Sequence, residues 1–379
     1  MSEDIVKFIN QRLKFLFLEP FFGGSHRAFA QGLISHSKHA IDLVTLPDSF
    51  WKWRLSGAAL HFYKTVSDLG AYDGLITTSL MRLADFKALC GPSCPPVLVY
   101  FHESQLTYPQ PSGKSMNFQL GFSDITTALS ADQVLFNSET HYQTFFATLD
   151  DFIKKMPDYQ PEWVTAEIRT KSGVLYPGCS FEGVPDIDAF ADSTPPLIIW
   201  NHRWEFDKNP KDFFEVLETL LERGHDFQIA LLGKNVQFVP KQFIKARKRF
   251  GSRIVQYGYV PSKEKYYEWL KRGTIVVSTA NQENFGMSVI EAVRWGCLPL
   301  LPNRLSYPEI IPEELHSDFI YQDNRDMADK LAFIIENVST FQEKRRHLAE
   351  TMTRFSWENL RELYDDMLMR LVSEKEKRD

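Results

Sequence analysis

Short runs rich in Val, Ile, Leu and Phe alternate along the first half of the chain with segments of helical period. Leu13 to Leu18 predicts the first strand, followed by Gly23-Gly24-Ser25-His26 and a helix to about Ser35. Ile41 to Thr45, Gly74 to Thr77, Val97 to Phe101 and Val134 to Asn137 predict further strands, with helices such as Asn117 to Ser130 and Ser138 to Leu149 between them. Strands alternating with helices imply a parallel sheet covered on both faces. Tyr176 to Pro196 breaks the rhythm with Pro177, Gly178, Gly183, Pro185 and Pro195-Pro196, the composition of a linker. The theme then restarts. Leu197 to Trp200, Gln228 to Leu232, Ile254 to Tyr257, Thr274 to Ser278 and Leu298 to Leu301 predict strands, separated by helices over Pro210 to Glu222, Lys241 to Phe250, Ser262 to Leu270 and Gly286 to Trp295.

The expected architecture is therefore α/β, with two Rossmann-like doubly wound domains at residues 1–180 and 197–355 and a linker at 181–196. The last segment, 356–379, carries a helix with alternating apolar and charged positions, expected to pack back on the first domain. Ligands of such sheets bind outside the strand C-terminal ends, so chemistry is expected in a cleft across which the domains face each other. A length of 379 residues suits two domains of ordinary size. No apolar run reaches the roughly 20 residues that span a bilayer. Met1 to Asn10 lacks the apolar stretch of a signal peptide, and a cytoplasmic protein is expected. Cys90, Cys94, Cys179 and Cys297 read as reduced thiols. A net charge of -6 does not announce a nucleic-acid binder, although a local basic patch is compatible with it.

The segment Glu283-Asn284-Phe285-Gly286-Met287-Ser288-Val289-Ile290-Glu291 leaves a predicted strand and opens a helix. Amides at a helix start lack intrahelical partners and the dipole adds positive charge, which makes an anion site. Gly286 lets the backbone approach a ligand closely. Glu283 before the helix and Glu291 within it can face one ligand and accept hydrogen bonds from sugar hydroxyls, a combination suited to a sugar nucleotide. The spacing alone also fits an ordinary helix start with one acid near the dipole and one in solvent.

Trp200-Asn201-His202-Arg203-Trp204-Glu205-Phe206-Asp207-Lys208-Asn209-Pro210 leaves another strand end. Arg203 offers a planar fork for phosphate oxygens and Lys208 a compact charge. The two can neutralise a departing diphosphate, or simply pair with Glu205 and Asp207 at the surface. In Pro20-Phe21-Phe22-Gly23-Gly24-Ser25-His26 the glycine pair has amides that can face a phosphate or sugar, but no third glycine completes a dinucleotide fingerprint. His102 and Glu103, within Tyr100-Phe101-His102-Glu103-Ser104-Gln105, stand at a strand end where a cleft is expected, and the histidine reads equally as a sugar contact or as a satisfied structural residue. There is no GxxxxGK[ST] loop, which argues against an ordinary P-loop ATPase, and no His-Glu-x-x-His or paired Cys-x-x-Cys for zinc. Asp186-Ile187-Asp188 has the Asp-x-Asp form of a carboxylate metal site. No strand precedes it, so it reads as a solvated linker pair, and no metal site is expected.

Together and in this order, these features resemble the GT4-like retaining glycosyltransferases of GT-B fold, over nearly the whole chain. The most specific element is the Glu-x7-Glu motif from Glu283 to Glu291. The resemblance implies that Glu283 contacts the transferred sugar and Glu291 the nucleotide ribose. It implies that Arg203 and Lys208 bind the diphosphate and that His102 stands near the sugar. It places Gly23, Gly24, Asn284, Phe285, Gly286, Met287 and Ser288 at the donor, and Tyr259 and Val260 at its nucleobase.

A narrower resemblance rests on Glu19 to His26, Trp51-Lys52-Trp53-Arg54, Tyr100 to Pro109, Asn117 to Phe122, His202 to Lys208 and Leu305 to Ile310. These stretches are similar to the tRNA-queuosine α-mannosyltransferase family. That implies GDP-mannose as donor and queuosine at the wobble position of tRNA for aspartate as acceptor. It also implies transfer with retention, without metal or cofactor. Animal members of the family carry a long insertion between the domains. A compact linker stands here instead, which points to a bacterial relative. The acceptor is expected over the first domain, with His26, Trp51, Trp53, Arg54, Glu103 and Gln105 as candidate contacts. Trp51 to Arg54 offers stacking faces and cations for unstacked RNA bases, or else a buried tryptophan pair with two surface cations. Lys241, Lys245, Lys248 and Arg249 recur along one side of a helix and can track phosphates or form a solvated face. No protein partner and no membrane attachment are expected. Two other readings stay open: a lipid, glycan or small-molecule acceptor, and a non-catalytic tRNA-binding protein on a glycosyltransferase scaffold. The intact set of Glu283, Glu291, Arg203 and Lys208 speaks against the second.

Overall fold

The computed structural model describes residues 11–109, 117–184, 193–233 and 239–376; Asp186 and Asp188 of the linker lie outside them. The chain forms two compact units, Met1–Ser180 with Phe355–Asp379, and Phe181–Arg354. In the first unit β1 (Lys14–Phe22), β2 (Ala40–Pro47), β3 (Gly74–Thr78), β4 (Val97–Phe101), β5 (Gln133–Phe136) and β6 (Ser172–Val174) form one parallel sheet in the order β2-β1-β3-β4-β5-β6. Its helices are α1 (Gly24–His36), α2 (Trp51–Thr65), α3 (Leu83–Cys90), α4 (Phe118–Ser130), α5 (Glu139–Lys154) and α6 (Trp163–Thr170). Successive strand side chains point to opposite faces. Leu16 and Leu18 of β1 therefore join a core with Phe62 of α2, Phe86 of α3 and Phe145 of α5. Phe15 and Phe17 join another with Phe29 of α1 and with Trp357, Leu360 and Tyr364 of the C-terminal helix, Trp357–Glu376.

That C-terminal helix is fixed to the first unit by shape and by polar contacts. Gly32 of α1 and Gly178 leave room for the Trp357 indole, with which a Cβ on either would clash. Ser37 Oγ donates to Asp365 (2.5 Å), and the Tyr364 hydroxyl donates to the Tyr176 carbonyl (2.7 Å). β1 runs further than its apolar pattern predicts, through Pro20 to Phe22. Its register with β2 shifts between Glu19 and Phe22, and such an irregularity accommodates a residue without an N–H.

In the second unit β7 (Leu197–Trp200), β8 (Gln228–Leu231), β9 (Ile254–Tyr257), β10 (Ile275–Val277), β11 (Leu298–Pro302) and β12 (Ile320–Tyr321) form a second parallel sheet, ordered β12-β11-β10-β7-β8-β9. Its helices include α7 (Pro210–Glu222), α8 (Lys241–Phe250), α9 (Lys263–Arg272) and α10 (Met287–Arg294). β7 reads Leu-Ile-Ile-Trp and is buried throughout, as a strand covered on both faces must be. β6 and β12 are too short for the sequence pattern to predict. In each sheet the strand order reverses once, between β1 and β3 and between β7 and β10. Loops at such a switch point diverge to opposite faces and leave a crevice where ligands bind. All four cysteines are free thiols. Among the described residues no helix is long and apolar enough to cross a membrane.

Candidate active site

In the second unit the segments following β7 and β10 meet at the switch point. The Asn281 amide donates to the Asp207 carbonyl (2.7 Å), and Thr279 Oγ1 to the Lys208 carbonyl (3.0 Å), so the two loops hold each other. Lys208 is buried. Its Nζ donates to the Gln282 carbonyl (2.5 Å) and to Glu283 Oε2 (3.3 Å), with Asp207 Oδ2 at 3.6 Å. Burial opposes a charge on Glu283, yet Lys208 beside it holds its pKa below the usual carboxylate range. Arg203 lies 3.2 Å from Glu205 and 4.0 Å from the buried Asp207, with its side chain 55% exposed. Arg203 is thus paired with acids yet solvent-exposed, whereas Lys208 and Asp207 are buried and Lys208 turns inward to Glu283, which corrects the reading of the two cations as surface partners of Glu205 and Asp207. His202 is pushed down to about 3 by burial and by Lys208, so it is neutral.

Gly286 precedes α10 at φ 94°, a conformation that favours glycine, and no side chain caps the helix. Phe285 is buried, its carbonyl accepting from Ser306 Oγ (2.9 Å), while Asn284, Met287 and Ser288 are half-buried around the helix start. On α10, Glu291 accepts from the Tyr266 hydroxyl (3.4 Å), and Asn201 Nδ2 donates to that hydroxyl (3.0 Å) and to the Ser288 carbonyl (2.7 Å). Burial pushes the Glu291 carboxyl up to about 7, against the opposing pull of Lys263 and Tyr266. A carboxyl raised in the folded state contributes stability that is full below the usual carboxyl range and is lost as pH rises through about 7. Glu291→Gln should therefore melt a few degrees above the parent at about pH 8 and lose that advantage at about pH 5. An offset independent of pH would reject the buried-acid assignment. Beside α9, Tyr259 and Val260 line a pocket of about 310 Å³ together with Gln256, Lys265, Trp269 and Arg272.

In the first unit a second polar cluster stands at the β1–β3 switch point. Glu19 of β1 is fully buried. Its Oε1 accepts from the Phe21 amide (2.9 Å) and Thr78 Oγ1 (3.4 Å) and faces His26 Nδ1 at 3.1 Å. His26 Nε2 lies 3.2 Å from Glu103 Oε2. Burial lowers the His26 pKa, but the carboxylates on both sides outweigh it and raise it to about 10, so the ring is cationic. The His102 ring lies 4.2 Å from that of His26, and burial with this cationic neighbour keeps it neutral. Asp124, pushed up to about 7 by burial, accepts from Ser104 Oγ (2.7 Å) and the Leu106 amide (2.9 Å) and so fixes the loop that carries Glu103 and the half-buried Gln105. Glu19, His26 and His102 bring three potential metal-ligand atoms within 4.8 Å of one another. Both His26 nitrogens face carboxylates, however, and the set has the chemistry of a buried ion pair.

Residues 14–179 match the model for the tRNA-queuosine alpha-mannosyltransferase N-terminal domain, and residues 187–354 that for glycosyl transferases group 1. A tRNA-queuosine alpha-mannosyltransferase of Drosophila melanogaster is 33% identical over 374 residues, covering 95% of this chain and 98% of that protein. The chain belongs to the tRNA-queuosine alpha-mannosyltransferase family. Like the family, it is a glycosyltransferase that transfers a hexose. The expected contrast with animal members is corrected: the fly member aligns over nearly its whole length, so no long insertion sets it apart. A GDP-mannose:cellobiosyl-diphosphopolyprenol alpha-mannosyltransferase of Xanthomonas oryzae pv. oryzae is 21% identical over 174 residues, 45% of each chain. The fold is that of the sucrose-phosphate synthase from Thermosynechococcus elongatus, at a TM-score of 0.71 and 12% identity over 95% of this chain and 99% of that one. The two units are thus the Rossmann-like domains of the GT-B class.

For this family member the structure groups Arg203, Lys208, Glu283, Asn284 to Ser288 and Glu291 within the second unit, and His26, His102 and Glu103 within the first. His26 is a buried bridge between two carboxylates. Gly23 packs closely against Asp48, and Gly24 is exposed at φ 51°. Trp51 is half-buried under Lys52, whose Nζ stands 5.4 Å over its ring, and Trp53 is exposed. Arg54 folds back on the Pro47 carbonyl (3.2 Å) and Ser49 (3.4 Å). Sequence reasoning missed Glu19, Asn201 and Tyr266, and Asp207, a surface acid in one of its two readings, is buried. The spacing of Asp207 four residues after Arg203 was the one available signal.

Proposed function

We propose that this chain moves mannose from GDP-mannose to the cyclopentenediol of queuosine in the anticodon of tRNA for aspartate, with retention and without a metal. The observation that carries the reading is the convergence of Arg203, Lys208, Glu283 and the α10 start at the β7–β10 switch point. An anion cradle beside a carboxylate suits a sugar diphosphate, and guanidinium, ammonium and amide groups supply the positive charge that a divalent ion would otherwise bring. The names of the fly and Xanthomonas relatives support queuosine as acceptor and GDP-mannose as donor.

In this mechanism a queuosine hydroxyl oxygen attacks C1 of mannose on the face of the leaving group. The C1–O bond to the diphosphate breaks, and the hydroxyl proton passes to the departing phosphate oxygen. Arg203 and the α10 amides meet the charge that grows on that oxygen. Glu283, kept ionised by Lys208, accepts from mannose hydroxyls, and Glu291 from the ribose. In this reading the neutral His102 hydrogen-bonds the sugar without adding charge.

Radiolabelled GDP-mannose should label queuosine-containing tRNA for aspartate in the presence of chelator, and should leave queuosine-free tRNA unlabelled. Donor-dependent label on another acceptor would retire the tRNA assignment alone. Binding of the tRNA should weaken steeply with salt, as phosphate contacts require. Lys241, Lys245 and Lys248 of α8 are exposed and available for such contacts, whereas Arg249 is paired with Glu218. Affinity that ignored salt would remove that helix and the cations of α2 from the acceptor path.

A further inference from the structure

Phe50 breaks the local rules at its position. It is the residue before α2, where Ser, Thr, Asp or Asn would accept from the unpaired amides, and it makes no side-chain cap. Its backbone is left-handed, at φ 52° and ψ 48°, a conformation that glycine takes freely and a bulky side chain takes only at a cost. Its ring is 75% exposed. Trp53, three residues on, is 76% exposed, and its amide donates to the Phe50 carbonyl (2.8 Å), which ties both rings to one turn. An aromatic side chain that brings no cap, no relaxed backbone and no burial does nothing for the fold. Strain of this kind persists where a ligand uses it.

Aromatic and cationic groups predominate around Phe50, with Asp48 the one acid of the same turn. The turn follows the C-terminal end of β2, next to β1, on the edge where such sheets bind ligands. Arg27, exposed at the start of α1, lies 5.1 Å over the Phe22 ring on the same edge, and Lys52 is exposed between Trp51 and Trp53. Aromatic faces interleaved with cations hold unstacked bases and the phosphates that join them. Tyr159 is also left-handed and exposed, but it lies in the loop between two helices, α5 and α6.

We propose that Phe50 and Trp53 form a stacking site for an unstacked nucleobase of the acceptor RNA, with Arg27 and Lys52 on its phosphates. The inference rests on the RNA-acceptor reading above and deepens it. Drawing one modified base into an active site strips its neighbours of a stacking partner, and an aromatic surface on the same edge replaces it.

Phe50→Gly separates this role from a structural one, because glycine relaxes the backbone that the substitution leaves behind. We expect a melting temperature equal to or above the parent's, and affinity for queuosine-containing tRNA weaker by about 10-fold or more in filter binding. Trp53→Ala should weaken binding similarly, and Phe50→Tyr should retain it. A lower melting temperature with unchanged tRNA affinity would make Phe50 structural and overturn the proposal. So would unchanged tRNA affinity with loss of binding to phosphatidylglycerol vesicles, which would assign the surface to a membrane. Transfer by the parent is measured first. A parent that labels the tRNA while both variants bind it as tightly refutes the stacking site alone, and a parent that labels no RNA removes the acceptor reading beneath it.

Discussion

Arg203→Ala should lower the turnover of mannose transfer by about 10²- to 10³-fold while the dissociation constant for GDP-mannose moves less than about 10-fold. The asymmetry follows from when the charge develops. The diphosphate is already anionic in the ground state, but breaking the C1–O bond concentrates further charge on the leaving oxygen. An interaction stronger in the transition state than in the bound donor appears in turnover. Arg203 suits that role because its guanidinium is held by Glu205 and Asp207 at 3.2 and 4.0 Å and needs little reorientation. Arg203→Lys keeps the charge and loses the planar fork, so it should recover only part of the rate. Single-turnover rates with calorimetric donor titration check both variants. Turnover equal to the parent's would remove Arg203 from catalysis, and equal losses in affinity and rate would make it a ground-state binder.

The periodicity of the chain was enough for the strands that fill the cores. The apolar run before the glycine pair, and the run from Leu197 to Trp200, needed only alternation with helices to be placed in parallel sheets. Strand order was not legible in the same way. Glu19 and Glu103 stand 84 residues apart and share His26 only because β3 and then β4 continue the sheet on the far side of β1 from β2. Lys208 reaches Glu283, 75 residues on, only because β10 returns beside β7. Motifs could therefore name Arg203, Glu283 and Glu291 but not the network behind them. Asn201 and Tyr266 orient Glu291 across three separate elements, and no spacing in the chain encodes that meeting. Burial has the same character: His26 beside two glycines reads as a ligand contact until the acids on both sides of it are known.

The charge at Lys208 is where stability and chemistry are hardest to separate. Lys208→Ala should abolish transfer and also destabilise the second unit by about 3–5 kcal/mol, because it leaves acidic groups buried without their cation. For a unit of this size that is on the order of 10 °C in melting temperature. Asp207 is fully buried, and Glu283 faces Lys208 at 3.3 Å. The sign with pH is fixed by Glu283. Its folded pKa lies below the usual carboxylate value, so its pairing contributes stability above that value and loses it as pH falls through the folded one. The gap between parent and Lys208→Ala should accordingly be widest near pH 7 and narrow toward about pH 4 in thermal melts across that range. Adding Glu283→Gln to Lys208→Ala should restore part of the stability and none of the transfer, since it removes one stranded charge and also the carboxylate meant for the sugar. A gap that stayed constant with pH would show that Lys208 acts through packing. Transfer regained by the double variant would show that neither side chain takes part in the reaction.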